Sequence, residues 1–254
     1  AYVCYGLHLA GVPLVAAIAV AAIATGVLTL VLQMFVFQRL LRGGPAIAMI
    51  GSLAVAMLVI AIMQGLAGSF PRMFNLPRTE PLVIADVRIA RAQIYAIATT
   101  VVLLCAFIFL LFHTRMGRAM RALACNSALA NASGLNASFI TYMVSFSAGA
   151  LAGLGGSMLA LSTGAHVNLG NDLLLPGFAA AILGGLGNPL GAVVGALRIA
   201  LAETTVTNIN FGPMLGQELA FLPVAYISAA SFLILLLALL FRPYGLFDRE
   251  VRRV

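Results

Sequence analysis

The chain has 254 residues, 63% of them hydrophobic and only 8% charged, with a mean hydropathy of +1.10. Soluble domains carry roughly a quarter charged residues, so this composition excludes a soluble globular fold and points to a polytopic membrane protein. The net charge of +7 rests on arginine alone; in a membrane protein such an excess reports orientation before nucleic acid, and no nucleic-acid-reading motif accompanies it.

Residues 9–37 carry no charge. At about 1.5 Å per residue they are long enough to cross a hydrocarbon core of about 30 Å with tilt. Pro13 falls near the start of this first expected span, where proline is tolerated. Arg39 and Arg42 then mark a short basic loop closed by Gly43-Gly44-Pro45. A second span is expected over residues 46–69, and its Ser52, Gln64 and Gly65 suit helix contacts better than lipid. Residues 70–91 form the longest polar interval, with Pro71, Pro77, Pro81, four arginines, Glu80 and Asp86. Three prolines disfavour one long helix there. The partial alternation from Val83 to Ile89 fits a short strand. A third span follows over residues 92–112.

Residues 114–134 are the one long segment that is neither membrane-like nor a short turn. Arg115, Arg118 and Arg121 recur at every third position and fan along one side of a helix. Thr114 is placed to cap its start and Gly134 to end it. A short basic helix between membrane spans is suited to a cytosolic contact.

From residue 122 to residue 171 there is no Asp, Glu or Arg. A fourth span of about residues 137–161 falls inside this stretch, with Asn136 or Ser138 as its cap. Gly149 and Gly153 form a small-xxx-small pair, and Ala152 and Gly156 form another. Lipid offers no hydrophobic drive between helices, so such residues are expected at a tight helix–helix contact. Asn171 and Asp172 offer an N-cap for a further helix, with Pro176 in its early turn. That helix reaches about Leu186 and stops at Gly187-Asn188-Pro189. Its roughly 21 Å is short for a full crossing. Asn188 caps the next helix, with Pro189 at its first position, and this helix runs to about Val206. Two helices joined in this way fit either the broken elements that line transport pathways or an ordinary tight hairpin at the membrane edge. A polar connection over 207–218 leads to a last span over 219–241 and a basic tail over 242–254.

The expected fold is all-α and polytopic, one transmembrane domain over residues 1–254. It has about seven membrane-crossing or re-entrant helices, with 114–134 as a short cytosolic coupling helix. Seven segments put Arg39/Arg42, Arg115/Arg118/Arg121 and the C-terminal cluster on one side, which the positive-inside rule makes cytosolic. The four arginines of 70–91 oppose this, and three clusters outvote one. The chain then begins outside and ends in the cytosol. Ala1 opens straight into apolar sequence, so a further span is expected before it.

Gly155-Gly156-Ser157 and His166 are the residue types of an intramembrane serine hydrolase. They lie on one span and the loop beyond it, however, rather than on facing helices. Arg198 falls midway along the helix after Asn188, where charge is costly and usually functional. Glu203 lies roughly 140° around the same helix and is no natural partner for it. Cys4, Cys105 and Cys125 share no metal-ligand spacing and read as small apolar fillers. No Walker-type phosphate loop, metal-spaced cluster or haem motif occurs, and no metal or cofactor is expected. Energy for transport then comes from an ion gradient or from a partner ATPase, and the exposed basic helix fits the ATPase better.

Thr114-Arg115-Met116-Gly117-Arg118-Ala119-Met120-Arg121-Ala122 resembles the cytosolic-loop signature of the branched-chain amino acid ABC importer permeases. Two further blocks resemble that family in order and spacing. One is Ala181-Ile182-Leu183-Gly184-Gly185-Leu186-Gly187-Asn188-Pro189-Leu190-Gly191-Ala192-Val193-Val194-Gly195, and the other is Arg242-Pro243-Tyr244-Gly245-Leu246-Phe247. The likeness covers nearly the whole chain and is to the shorter of the two permease subunits. That family begins with a further span and an Asn-Phe-Ala-His-Gly-Glu block before a Gly-Ala-Tyr-Val segment, whose end Ala1-Tyr2-Val3 fits.

The resemblance implies a non-enzymatic permease subunit of the bacterial inner membrane. Its partners are a second homologous permease subunit, two cytosolic ATP-binding subunits and a periplasmic substrate-binding protein. Arg115, Gly117, Arg118, Arg121 and Gly134 become coupling residues in a loop that docks into an ATPase groove. The translocation path is expected to pass Gly184, Gly185, Gly187, Asn188, Arg198 and Glu203. The chain departs from the family pattern in four places. Cys125-Asn126-Ser127 lacks an acid, Asn131 replaces an apolar residue, Pro176-Gly177-Phe178 replaces a Lys before Ala-Phe, and Arg198 replaces a Gly or aliphatic residue. Urea and short-chain amide permeases share the scaffold as an alternative, and an ATP-independent secondary carrier or channel is the rival class.

Overall fold

The structure, a computed structural model, describes residues 1–68, 70–74, 82–84, 87–89, 91–185 and 187–208, with isolated helical positions at 229, 232, 233, 236 and 240. Apart from those five positions, the expected last span lies outside the described residues, as do residues 209–218 and the basic tail. By its contacts the chain divides into two compact units, Ala1–Val167 and Asn168–Val254.

The first unit opens with a short helix ahead of the expected first span. α1 (Tyr2–Leu9) is followed by a turn at Gly11, with φ of 84°, and α2 (Leu14–Leu32) begins only after Pro13. Proline has no N–H to donate and restricts the residue before it. α2 then continues through a π-helical turn, Gln33–Phe37, into α3 (Gln38–Arg42). Together Leu14–Arg42 form one 29-residue apolar helix. Arg39 and Arg42 therefore lie in its last turns and not in a loop, where positive charge meets the negative end of the helix dipole. Only Gly43 and Gly44 separate α3 from α4 (Pro45–Ala67), and Gly44 has a φ of 105° that favours glycine.

In the polar interval, β1 (Leu82–Ile84) and β2 (Val87–Ile89) pair antiparallel, with Leu82 opposite Ile89. The expected single strand is thus a small hairpin. Arg72 bridges to Ala165 through two backbone hydrogen bonds of 2.9 and 2.8 Å. α5 (Arg91–His113), α6 (Arg115–Cys125), α7 (Ser127–Ala132) and α8 (Ala137–Thr163) complete the unit. Asn136 caps α8, its Oδ1 accepting from the Phe139 N–H at 3.1 Å.

α2 and α8 make the main helix pair. Gly149 and Gly153 of α8 face Thr29 and Thr25 of α2, and Gly26 of α2 faces Phe146 of α8. The threonine hydroxyls donate within their own helix, Thr25 to Ala21 and Thr29 to Thr25, each at 2.8 Å. No donor is stranded in the contact, so van der Waals packing can hold it in lipid. The first small-residue pair serves the contact as expected. Gly156 of the second pair has open space beside it. Cys4, Ala17, Ile18 and Ala21 are buried at one end, under Leu154, Met158 and Leu161.

The second unit contains α9 (Leu169–Asp172), α10 (Leu174–Gly184) and α11 (Pro189–Asn208). Asn171 and Asp172 belong to α9 and do not cap α10. Leu173 stands at that position and makes no side-chain cap bond. Thr207 and Asn208, expected in a polar connection, extend α11.

Among the described residues, five helices are long and apolar enough to cross a membrane: Leu14–Arg42, Pro45–Ala67, Gln93–His113, Ala137–Thr163 and Pro189–Val206. Leu169–Gly184 is a shorter apolar helix. The chain is an all-α polytopic membrane protein with one minor hairpin.

Candidate coupling and translocation sites

The basic segment is two helices and not one. Thr114 opens α6 as expected, its Oγ1 accepting from the Gly117 N–H at 3.0 Å. Asn126 then breaks the segment, with extended backbone, and caps α7 by accepting from the Leu129 N–H at 3.0 Å. The same residue that departs from the family pattern therefore has a structural task. Gly134 ends α7 with φ of 81°. Its N–H donates to the Asn131 carbonyl at 3.0 Å, and the Leu135 N–H to the Ala130 carbonyl at 3.1 Å, the pair of bonds that makes a Schellman cap.

The three arginines do not share one environment. Arg115 and Arg118 are exposed in the first turn of α6, and that turn contains no acid. Positive charge opposes the helix dipole there, so helix stability does not account for these two. Arg121 is half-buried and turns back onto α5. Its Nη1 donates to the Leu111 carbonyl at 2.5 Å, and its guanidinium lies 4.8 Å from the centre of the Phe112 ring. Gly117 is buried against the carbonyls of Leu110 and Leu111, where a β-carbon would collide with backbone. Arg121 and Gly117 hold the corner between α5 and α6, and Arg115 and Arg118 face outward. The acceptors at this corner are main-chain oxygens, which leave no mark in sequence. The Thr-x-x-Gly spacing was the one available signal.

In the second unit, Asn188 caps α11 as expected. Its Oδ1 accepts from the Leu190 and Gly191 N–H groups at 3.1 and 3.2 Å. Gly185 and Gly187 turn the chain with φ of 97° and 101°. Gly184 is buried and packs on the Gly191 backbone, while Gly195 packs on the Ala180 carbonyl. Gly185, Gly187 and Asn188 line a shallow depression with Ala181, Pro189 and Ala192. Arg198 is exposed midway along α11, off the buried stripe of Gly191, Gly195 and Ile199. Glu203 is half-buried and already engaged. Ser157 is fully buried in the first unit, and its hydroxyl donates to the Gly153 carbonyl at 2.7 Å. That proton is committed to its own helix, which leaves the hydrolase reading without an accessible nucleophile. Among the described residues no group of His, Cys, Asp and Glu is placed to hold a metal ion.

A family model described as "Branched-chain amino acid transport system / permease component" matches residues 1–241. The chain belongs to this family. It is similar to the high-affinity branched-chain amino acid transport system permease protein BraD of Pseudomonas aeruginosa, at 31% identity over 169 residues, 65% of this chain and 51% of that protein. It is similar to LivH of Escherichia coli, a permease protein of the same description, at 31% over 160 residues, 62% of this chain and 48% of the relative. A probable branched-chain amino acid transport permease protein LivH of Methanocaldococcus jannaschii is 30% identical over 146 residues, 58% of this chain and 45% of its own. The chain spans about half the length of these curated relatives. No solved structure matches it.

Proposed function

We propose that this permease-family chain is a membrane subunit of an ABC importer that moves branched-chain or related amino acids across the bacterial inner membrane. The observation that carries this reading is the family match over residues 1–241. The relatives described above all carry branched-chain amino acid transport in their names. On this reading the chain is no enzyme. Two cytosolic ATP-binding subunits hydrolyse ATP, a second permease subunit completes the pore, and a periplasmic protein delivers the solute. Residues 1–254 act as one permease domain, with 114–134 as its coupling loop and the C-terminus in the cytosol.

The exposed Arg115 and Arg118 support the coupling role, because a partner's carboxylates would offset charges that the helix dipole disfavours. The depression at Gly185, Gly187 and Asn188, together with the exposed Arg198, supports a path along the α10–α11 hairpin. A charge at the middle of a spanning helix belongs against protein or water and not lipid.

The test is uptake of radiolabelled leucine by proteoliposomes holding the permease pair, the ATP-binding subunits and the binding protein. Uptake should require ATP inside the complex's nucleotide-facing compartment. Equal uptake driven by an ion gradient without ATP assigns the chain to the carrier class instead.

A further inference from the structure

We propose that Arg121 is a latch and no part of the ATPase-contacting face: it makes α5 and α6 one rigid body and so sets how much of the ATPase motion reaches the membrane span. This deepens the permease reading and rests on it.

The last carbonyls of any helix lack partners within that helix. At the end of α5 two of them are taken, one by Thr114 and one by Arg121 of α6. Thr114 Oγ1 donates to the Leu110 carbonyl at 2.5 Å while accepting from the Gly117 N–H. Arg121 Nη1 donates to the next carbonyl, Leu111, from ten residues further along the chain. Gly117 lets the α6 backbone close onto both carbonyls. Phe112 lies under the same guanidinium. Thr114 is the sole residue between the two helices, and its backbone is extended.

A change of angle at this corner must break a charge-assisted hydrogen bond on a half-buried carbonyl, the stronger kind of such bond. It must also separate the guanidinium from the ring. A push on Arg115 and Arg118 therefore turns α5 with it. Were the latch open, α6 would swing on Thr114 and the push would be lost in the corner. The two kinds of arginine on α6 thus divide the work, with the outer pair for contact and Arg121 for transmission.

Native Cys105 on α5 and Cys125 at the end of α6 are both exposed, whereas Cys4 is buried. Spin labels on these two report the corner in the full chain in nanodiscs, alone and with the ATP-binding subunits. The latch predicts a narrow distance distribution that ATP leaves unchanged. Arg121→Leu should broaden it, and Arg121→Lys, which keeps a donor and a cation, should narrow it again. Arg121→Met, which keeps the aliphatic stem and loses the donor, should broaden it as well and decides the matter if Arg121→Leu does not accumulate in the membrane.

In the assembled transporter, Arg121→Leu should keep its ATPases on co-purification. It should also lower the solute moved per ATP hydrolysed relative to the wild type. A distribution unaffected by both substitutions overturns the latch, and so does loss of co-purification, which would put Arg121 on the contact face. If the wild-type chain binds no ATPase, the permease reading fails, while the distances in the chain alone still decide whether the corner is latched.

Discussion

Gly149 of α8 lies directly against the side chain of Thr29 on α2, and one turn further on Gly153 lies against Thr25. This contact sets the distance between the two helices. Gly149→Leu should force them apart and cost about 1–3 kcal/mol, the usual penalty for overpacking. Gly156→Leu, at a position with open space beside it, should cost less. Thermal retention of the folded protein in detergent compares the two, and equal losses would show that the small-residue face is not specific to Gly149 and Gly153.

Arg118 is exposed on the first turn of α6. If the proposed ATPase contact offers carboxylates to this turn, Arg118→Glu sets like charges against each other, which costs several kcal/mol. Co-purification with the ATP-binding subunits should fall by at least about tenfold, with the permease still in the membrane. Retention equal to the wild type would remove Arg118 from the interface.

Asn188 caps α11 with one carbonyl oxygen and two backbone donors. Asn188→Ala should destabilise the hairpin by about 1 kcal/mol, and Asn188→Asp should retain most of the stability because its oxygen accepts the same bonds and its charge suits the helix start. Heat denaturation followed by gel filtration ranks the three proteins. If alanine matches asparagine, the cap carries no stability in place.

Arg198 is exposed midway along α11, away from the face that packs on α10. On the proposed path, Arg198→Leu relieves the cost of a charge in the middle of a spanning helix, so protein levels should hold or rise while transport falls. Parallel loss of level and transport would make Arg198 a structural residue.

Local features were legible in the sequence where one side chain acts on backbone three residues away. Thr114, Asn136 and Asn188 cap the helices expected of them for this reason. Composition was enough to place the described spans in outline, because a membrane demands long apolar helices. The misreadings arose where a helix had no reason in composition to continue or stop. The π-helical turn at Gln33–Phe37 carries the first span past its expected end and takes Arg39 and Arg42 with it. Asn171 and Asp172 have the chemistry of caps but are already inside α9. Asn126 has the same chemistry and does cap, at a break that the run of arginines obscured. Gly117, Gly184 and Arg121 share a deeper reason. Their partners are main-chain atoms of a neighbouring helix, and only the tertiary structure shows that these residues join helices to each other.

The proposed function has this chain pass branched-chain or related amino acids under the control of ATPases bound at α6. Its most direct measurement is leucine uptake into proteoliposomes holding the complete complex, with ATP supplied or withheld and Arg118→Glu alongside the wild type. Uptake should need ATP and be largely lost in Arg118→Glu. Uptake that is the same without ATP and the same in the variant would contradict it.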